Sequence, residues 1–331
     1  MEQRSLTRLG RDASVIGIGT WQLGAEWGEV SDADAQATLG AAINSGTTFI
    51  DTADVYGDGL SEQRVAQFLA GRGREGLTVA TKMGRRVEQL PEHYSLDNFR
   101  LWTERSRRNL GVDTLDLVQL HCPPTEVIES DATYDALDTL VEEGAIAAYG
   151  VSVETCDQAL AAIARAGVAT VQIILNAFRR KPLDEVLPAA QEAGVGIIAR
   201  VPLASGLLSG RYDEQTTFAA DDHRTFNRHG EAFDVGETFS GVDYADGVRA
   251  AQEFAALVRD HGPEGATPAQ VALAWVAQQP GVSTVIPGAR SVVQARANSE
   301  AGSLPALDPR LLDGLRDIYD RWFRAAVHDR W

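Results

Sequence analysis

Four ionisable side chains stand where predicted strands of this chain end. Asp51 ends an apolar run and Tyr56 follows it, while Lys82 and His121 end the next two runs. An ammonium close to a phenol stabilises the phenolate and lowers the tyrosine pKa from about 10. A carboxylate can hold that ammonium in place, and an imidazole can hydrogen-bond the oxygen that receives the phenol proton. The pattern predicts proton transfer from Tyr56 to a carbonyl oxygen.

Lysine is rare in this chain, which makes Lys82 informative. Only Lys82 and Lys181 are lysines among the 30 basic residues. An ammonium is a compact charge whose pKa can shift, whereas a guanidinium stays charged and planar. Each of the four residues alone also has a structural explanation, such as a helix cap, a packed turn or a buried histidine. The catalytic hypothesis therefore depends on their combination.

A metal-dependent hydrolase using Asp51, Asp54 and His121 is a different interpretation of the same strand ends. Metal sites in barrels gather several histidines and carboxylates. The later predicted strands end instead in Ser152, Asn176, Val201 and Pro287. The sequence therefore disfavours a metal site.

Composition excludes several classes of partner. The 331 residues carry 30 basic and 47 acidic side chains and a formal net charge of −17, which disfavours nucleic-acid binding. No apolar run reaches the roughly 18–20 residues needed to cross a bilayer, and the first residues lack the hydrophobic region of a signal peptide. We expect a cytoplasmic protein without membrane contact.

Eight short apolar runs, rich in β-branched residues, predict eight strands. They lie at 15–20, 47–51, 77–82, 115–121, 146–152, 170–176, 195–201 and 283–287. Helical patterns lie at 31–46, 61–71, 96–111, 133–144, 154–167 and 183–194, and after the last strand at 291–300 and 308–326. Strands separated by helices must be mostly parallel, and eight such units fit a closed barrel better than an open sheet. We predict an α/β fold, a (β/α)8 TIM barrel that forms a single domain over residues 1–331.

The longest connection runs from Pro202 to about Gly262. Its polar part, residues 211–244, follows the seventh strand and rises from the rim where barrel active sites lie. Long segments without regular structure in a compact domain are usually functional or disordered. We predict that residues 211–244 form a loop that covers the substrate, in preference to a solvated insertion.

Six motifs resemble those of the aldo-keto reductases, in order along the chain. They are D-T-A-D-x-Y-G at 51–57, T-K at 81–82, L-H at 120–121, G-V-S at 150–152, P-L-A-x-G-x-L-S-G at 202–210 and I-P-G-A-R at 286–290. The resemblance extends from residue 17 to about Asn298 and implies an N-terminal β-hairpin and C-terminal helices. It implies an NADP(H)-dependent carbonyl reductase without metal. Tyr56 would be the general acid/base, tuned by Lys82 and Asp51, and His121 would orient the carbonyl.

The resemblance also implies a set of cofactor contacts. Ser152 and Gln172 match the positions that hold the nicotinamide carboxamide, and Arg290 suits bidentate contact with a 2′-phosphate, which favours NADP(H) over NAD(H). The full expected set is Thr20, Trp21, Asp51, Ser152, Gln172, Arg200, Pro202, Leu203, Gly206, Leu208, Ser209, Gly210, Arg211, Ile286, Gly288, Ala289, Arg290, Gln294 and Asn298. A G-x-G-x-x-G dinucleotide fingerprint at residues 17–22 fails, because its third glycine would be Gln22.

Three positions depart from the family pattern. Val153 stands where an amide side chain is expected, and Leu175 replaces a tyrosine. Arg200 occupies the position where many members stack an aromatic ring on the nicotinamide. A guanidinium can also stack, but its positive charge would bear on the redox balance of the ring. The four catalytic positions follow the pattern.

Aromatic and basic residues suggest the substrate. Trp21, Trp27, Tyr56 and His121 are expected to wall the pocket for a small-molecule carbonyl substrate. Five arginines lie on loops near its expected mouth, namely Arg85, Arg86, Arg179, Arg224 and Arg228. If several converge, they favour a hydroxylated or anionic compound such as a sugar-derived aldehyde. The alternative function is an NADP(H)-binding redox-sensing regulatory subunit with little turnover, since a fold alone does not fix function.

Overall fold

The computed structural model describes residues 1–24, 30–220, 222–232 and 235–331. The chain opens with an antiparallel hairpin of β1 (Gln3–Leu6) and β2 (Arg11–Ser14). Eight parallel strands follow, and each pairs with the next in chain order. They are β3 (Ile18–Gly19), β4 (Phe49–Asp51), β5 (Thr78–Met83), β6 (Leu117–His121), β7 (Tyr149–Ser152), β8 (Val168–Ile174), β9 (Gly196–Arg200) and β10 (Val282–Val285).

The two ends of this sheet meet and close a barrel. Parallel bridges join Ile16 to Val285 and Gly19 to Gly288, and the Gly17 N–H donates to the Val285 carbonyl at 2.8 Å. The predicted TIM barrel and all eight predicted strands are confirmed. The boundaries differ by up to three residues, and β8 as a whole begins and ends two residues before the predicted 170–176. Its end is earlier because Asn176 leaves the sheet and pairs with Arg179 in a tight antiparallel bridge.

Helices cover the outside of the barrel, and several begin at a capping serine or threonine. The side chains of Ser31, Ser95 and Thr155 each accept a hydrogen bond from a backbone N–H in the first turn. The helices are α1 (Asp32–Asn44), α2 (Leu60–Arg72), α3 (Leu96–Leu110), α4 (Thr125–Glu129), α5 (Asp131–Glu142), α6 (Cys156–Ile163), α7 (Val186–Ala193), α8 (His223–Phe226), α9 (Tyr244–His261), α10 (Pro268–Ala277), α11 (Val292–Glu300), α12 (Pro309–Trp322) and α13 (Arg324–Val327). Within the described ranges, none of the helices combines the length and the apolar character that a membrane span requires.

Helix α9 occupies part of the long connection in which no helix was predicted. It starts directly after Asp243, whose side chain accepts from two backbone N–H groups. Its buried residues include Val248, Ala251, Phe254 and Val258, at the spacing of one helix face. The signal was therefore present in the sequence, mixed with polar residues of the exposed face. Before α9, the described part of residues 211–243 contains only α8 and short 3-10 turns.

The hairpin closes the N-terminal end of the barrel. Leu6 is fully buried and belongs to the inner core cluster with Phe49, Leu117 and Ile198. Arg8 beside it donates to the carbonyls of several residues, including Val168 at 2.8 Å. With this end filled by side chains, the open end of the barrel is the one at which the strands terminate, as in other TIM barrels.

Candidate active site

A cavity of about 640 Å³ opens where the barrel strands terminate. Tyr56 and His121 line it, together with most of the expected cofactor contacts. Those contacts are Thr20, Trp21, Asp51, Ser152, Gln172, Arg200, Pro202, Leu203, Gly206, Ser209, Arg211, Ile286, Gly288, Ala289, Arg290 and Gln294. One cavity therefore brings together segments that are widely separated in the chain.

Three expected cofactor contacts do not line this cavity. Leu208 is fully buried in the core, and Gly210 ends a short helical turn with a φ of 68°. Asn298 lies behind the wall, where its side-chain Nδ2 donates to the Gly288 carbonyl at 3.1 Å. Trp27, an expected substrate contact, lies outside the described residues.

Lys82 joins Asp51 and Tyr56, two of the other three members of the proton-transfer group. Its buried Nζ donates to Asp51 Oδ1 at 2.5 Å, to the Thr52 carbonyl at 2.9 Å and to the Tyr56 hydroxyl at 3.4 Å. The contact follows from the fold, because β4 and β5 are neighbours and their parallel ends meet at the same rim. The structure thus gives the predicted chain of carboxylate, ammonium and phenol.

The second oxygen of Asp51 is held by two amides. Its Oδ2 accepts from Gln172 Nε2 at 2.9 Å and from Gln119 Nε2 at 3.3 Å. Gln172 was expected to contact the nicotinamide carboxamide. In this structure its amide nitrogen donates a hydrogen bond to Asp51. Gln119 was missed, although a glutamine inside the fully buried strand L-V-Q-L-H was a usable signal. The two amides hold the Asp51 carboxylate in place, and this carboxylate in turn holds the Lys82 ammonium.

His121 stands edge-on to the phenol ring. The ring centroids of Tyr56 and His121 are 6.0 Å apart with an interplanar angle of 87°. Burial, followed by the positive charges of Arg85, Lys82 and Arg200, holds the His121 pKa well below its ordinary value. The imidazole is therefore neutral near pH 7, and a neutral imidazole can donate one N–H to a carbonyl oxygen.

The pKa of Tyr56 differs from the sequence-based expectation. Burial raises it above the ordinary value, while the Lys82 charge opposes that rise and the Asp51 charge adds to it. The predicted net lowering is wrong, because the desolvation of the phenolate outweighs the effect of the nearby ammonium. Burial also acts to lower the Lys82 pKa, but Asp51 and Tyr56 raise it overall. Tyr56 is therefore protonated and Lys82 charged at neutral pH.

A glycine turn places the phenol. Tyr56 begins a 3-10 turn, and Gly57 after it has a φ of 58°, in the region that favours glycine. A Cβ at Gly57 would lie 2.2 Å from the Gly24 carbonyl oxygen, closer than atoms can approach. Trp21 stacks on the Tyr56 ring with centroids 6.0 Å apart. The position of Tyr56 thus depends on close backbone packing against residues 21–24.

The segment after β9 supplies one wall of the cavity, including residues that sequence reasoning missed. Glu237 is buried there and forms an ion pair with Arg200, which also donates to the Val153 carbonyl at 3.1 Å. His223 lies against Trp21 with ring centroids 5.2 Å apart. No motif or periodicity marked Glu237 or His223, since irregular chain carries no register from which a contact can be read.

Two of the five arginines expected near the mouth line the cavity. They are Arg85, which forms an ion pair with Glu154 at 3.2 Å, and Arg224, which forms an ion pair with Asp222. The others do not line it. Arg86 pairs with Asp58, Arg179 is fully buried against the Trp331 ring, and Arg228 lies over the Phe239 ring.

The metal-hydrolase alternative finds no support in the structure. Across the ranges that are described, no three His, Cys, Asp or Glu side chains are grouped as ligands for a metal ion. Asp54, one of its proposed ligands, is fully buried and does not line the cavity. Burial, followed by the nearby Glu62 charge, raises the pKa of this carboxyl to about 7.

Comparisons with known proteins agree with this geometry. The model of the Aldo/keto reductase family matches residues 15–320. The aldo-keto reductase YhdN of Bacillus subtilis is 31% identical over 304 residues, which are 91% of this chain and 88% of that relative.

Two solved structures are also similar to the chain over nearly its whole length. The glycerol dehydrogenase of Gluconobacter oxydans is 29% identical with a TM-score of 0.79, covering 97% of this chain and 95% of that one. The aldo-keto reductase of Klebsiella pneumoniae in complex with NADPH is 26% identical with a TM-score of 0.71, covering 96% and 95%. With its barrel, its cavity and a family match over most of its length, the chain belongs to the aldo/keto reductase family.

Proposed function

We propose that this protein transfers hydride reversibly between NADPH and a small aldehyde or ketone, with Tyr56 as the general acid/base. The observation that carries the proposal is the hydrogen-bonded chain from Asp51 through Lys82 to Tyr56, with His121 edge-on to the phenol at the cavity wall. Family membership supports the same reaction class.

The roles follow from the contacts. NADPH supplies the hydride when it is bound. Tyr56 donates its proton to the oxygen of the carbonyl undergoing reduction, and His121 donates a hydrogen bond to that oxygen. Lys82 stabilises the phenolate that remains, and Asp51 holds Lys82 in place. Because burial raises the Tyr56 pKa, the donor is protonated at neutral pH, and the reverse oxidation is favoured as pH rises towards that pKa.

The cavity fits NADP(H). A Cβ at Gly288 would lie 2.1 Å from the Gln22 side chain and one at Gly206 would lie 2.3 Å from the Tyr212 hydroxyl, so the absence of a side chain at each glycine lets these neighbours pack closely at the cavity wall. Arg290 and Arg211 line the cavity as cations suited to the phosphates of the cofactor. The N-terminus of α11 directly follows Arg290 and can add N–H donors for an anion. The NADPH complex of the Klebsiella relative supports the same cofactor.

For the substrate, we propose a small hydroxylated carbonyl compound, such as a sugar-derived aldehyde. Arg85 and Arg224 are each paired with a carboxylate, so they offer hydrogen bonds more than excess positive charge. That pairing favours a neutral hydroxylated substrate over an anionic one. The described part of residues 211–244 supports its role as a cover over the substrate, because several of its side chains line the cavity. The likeness to a glycerol dehydrogenase points to the same substrate class.

The experiment combines cofactor titration with three aldehydes of similar size. Fluorescence titrations with NADPH and NADH should show tighter binding of NADPH. Turnover followed at the nicotinamide absorbance should give the highest kcat/KM for glyceraldehyde, above butanal and glyoxylate. A higher kcat/KM for glyoxylate would contradict the neutral substrate. Tight NADPH binding with slow release and no turnover of any aldehyde would contradict the enzyme and favour the regulatory alternative.

A further inference from the structure

Two opposite charges face each other inside the active-site cavity. Arg200 at the end of β9 and Glu237 of the following segment retain only 7% and 8% of their exposure, and both line the cavity. Their guanidinium and carboxylate form an ion pair. Burying two charges carries a desolvation penalty that their attraction does not always offset. Stability alone therefore does not explain the pair, and we expect the two charges to have a function in the cavity.

The pair lies beside the groups that hold the carbonyl. One guanidinium nitrogen of Arg200 is 3.7 Å from the Sγ of Cys122, the residue directly after His121. The Arg200 charge contributes to the lowered pKa of His121, and the Glu237 charge contributes to the raised pKa of Tyr56. Both charges therefore act on the two side chains that hold the carbonyl, His121 and Tyr56.

The nicotinamide must bind close to the same groups. Hydride transfer requires the reacting atoms to approach within roughly 3–3.5 Å of each other. A carbonyl held by Tyr56 and His121 therefore fixes the reactive end of the ring in the same part of the cavity. Arg200 and Glu237 line the same cavity, and their charges act on His121 and Tyr56, so we expect the ring to lie within reach of both charges.

We propose that Glu237 is a positioning residue that sets the relative affinity for NADP⁺ and NADPH by opposing the charge of Arg200. This inference rests on the proposed function. The nicotinamide carries one more positive charge when it is oxidised. Arg200 alone disfavours the oxidised ring, and the Glu237 carboxylate compensates for that effect. Charges near the reactive ring are a recognised means by which a protein tunes a bound cofactor.

The test measures the dissociation constants of NADP⁺ and NADPH for single and double variants of the full-length protein. Glu237→Gln should raise the ratio of Kd for NADP⁺ to Kd for NADPH about tenfold, equivalent to about 1.4 kcal/mol. Arg200→Met should lower the ratio by a similar factor. The double variant should return towards the wild-type ratio, and Arg200→Lys, which keeps the charge, should stay near it.

The ratio separates this role from a purely structural one. Damage to the cavity weakens the binding of NADP⁺ and of NADPH by a similar factor and leaves the ratio of their Kd values unchanged. An unchanged ratio in both folded single variants, or changes of the same sign in both, would overturn the inference and leave the proposed function standing. If one single variant fails to fold, the other single variant and the double variant still decide. The single variant must change the ratio in its predicted direction, and the double variant must lie nearer to the wild-type ratio.

Two controls complete the test. Glu143→Gln removes the carboxylate of an exposed ion pair with Arg100, far from the cavity, and should leave the ratio unchanged. A wild-type protein that binds neither NADP⁺ nor NADPH would overturn the proposed function itself, and the inference with it.

Discussion

The two sides of the cavity are built differently. On one side, Asp51, Lys82 and His121 lie at the last or next-to-last position of three neighbouring strands. All three are buried, and their contacts follow from strand order. On the other side, the segment after β9 brings Glu237 and His223 to the cavity through irregular chain. The sheet fixes the positions of the side chains on the first side. On the second side, only side-chain and turn contacts fix them.

Backbone conformation shows the same contrast. Val201, Ala204 and Ser205, directly after β9, all have a positive φ, which is unfavourable for residues with a side chain. Hydrogen bonds hold this segment, such as that from Asn176 Nδ2, just after β8, to the Val201 carbonyl at 3.0 Å. The strand-end side therefore suits the proton transfer, and the segment after β9 suits the adjustment of cofactor and substrate. Substitutions on the two sides should accordingly differ in their effect on stability.

The largest effect is expected for Lys82→Met on the strand-end side. Removing the ammonium leaves the Asp51 carboxylate buried without its cation, which costs about 3–5 kcal/mol in the free energy of unfolding. Loss of support for the phenolate should also lower kcat by roughly 100-fold or more. Urea unfolding and steady-state turnover measure the two losses. Lys181→Met makes the same substitution at the other lysine, and an equal loss there would remove the special role of Lys82.

A smaller effect is expected for Gly57→Ala, which tests the turn that places Tyr56. The new Cβ meets the Gly24 carbonyl, and such overpacking costs about 1–3 kcal/mol beyond the cost of the positive φ. Gly10→Ala is the matched control, because Gly10 has a similar φ of 67° and no atom within 4 Å of its Cβ. The free energy of unfolding and kcat should both fall more for Gly57→Ala. Equal losses in the two variants would show that close packing does not place the phenol.

The smallest effect on stability is expected for His223→Ala in the segment after β9. Loss of its contact with Trp21 should raise KM for the carbonyl substrate by roughly tenfold or less, with kcat and the free energy of unfolding little changed. His229→Ala, an exposed histidine of the same segment, should leave KM unchanged. A loss of stability as large as that of Lys82→Met would contradict the proposed difference between the two sides.

The same difference explains what the sequence could predict. Hydrophobic periodicity located all eight strands, and the residue types at the strand ends then indicated Asp51, Lys82 and His121. Glu237 could not be predicted, since its burial depends on the path of a long irregular segment. The sign of the Tyr56 pKa shift could not be predicted either, because it depends on how deeply the phenol is buried as well as on its neighbours. Helix α9 had a readable pattern and was missed within a polar connection.

The most direct test of the central claim is a comparison of Tyr56→Phe with the wild type in NADPH binding and in aldehyde reduction. The substitution removes the hydroxyl and keeps the ring that stacks on Trp21. The account predicts a Kd for NADPH within about threefold of the wild type and a kcat lower by roughly 10²–10⁴-fold. A variant that binds NADPH and retains kcat within about tenfold of the wild type would contradict Tyr56 as the proton donor.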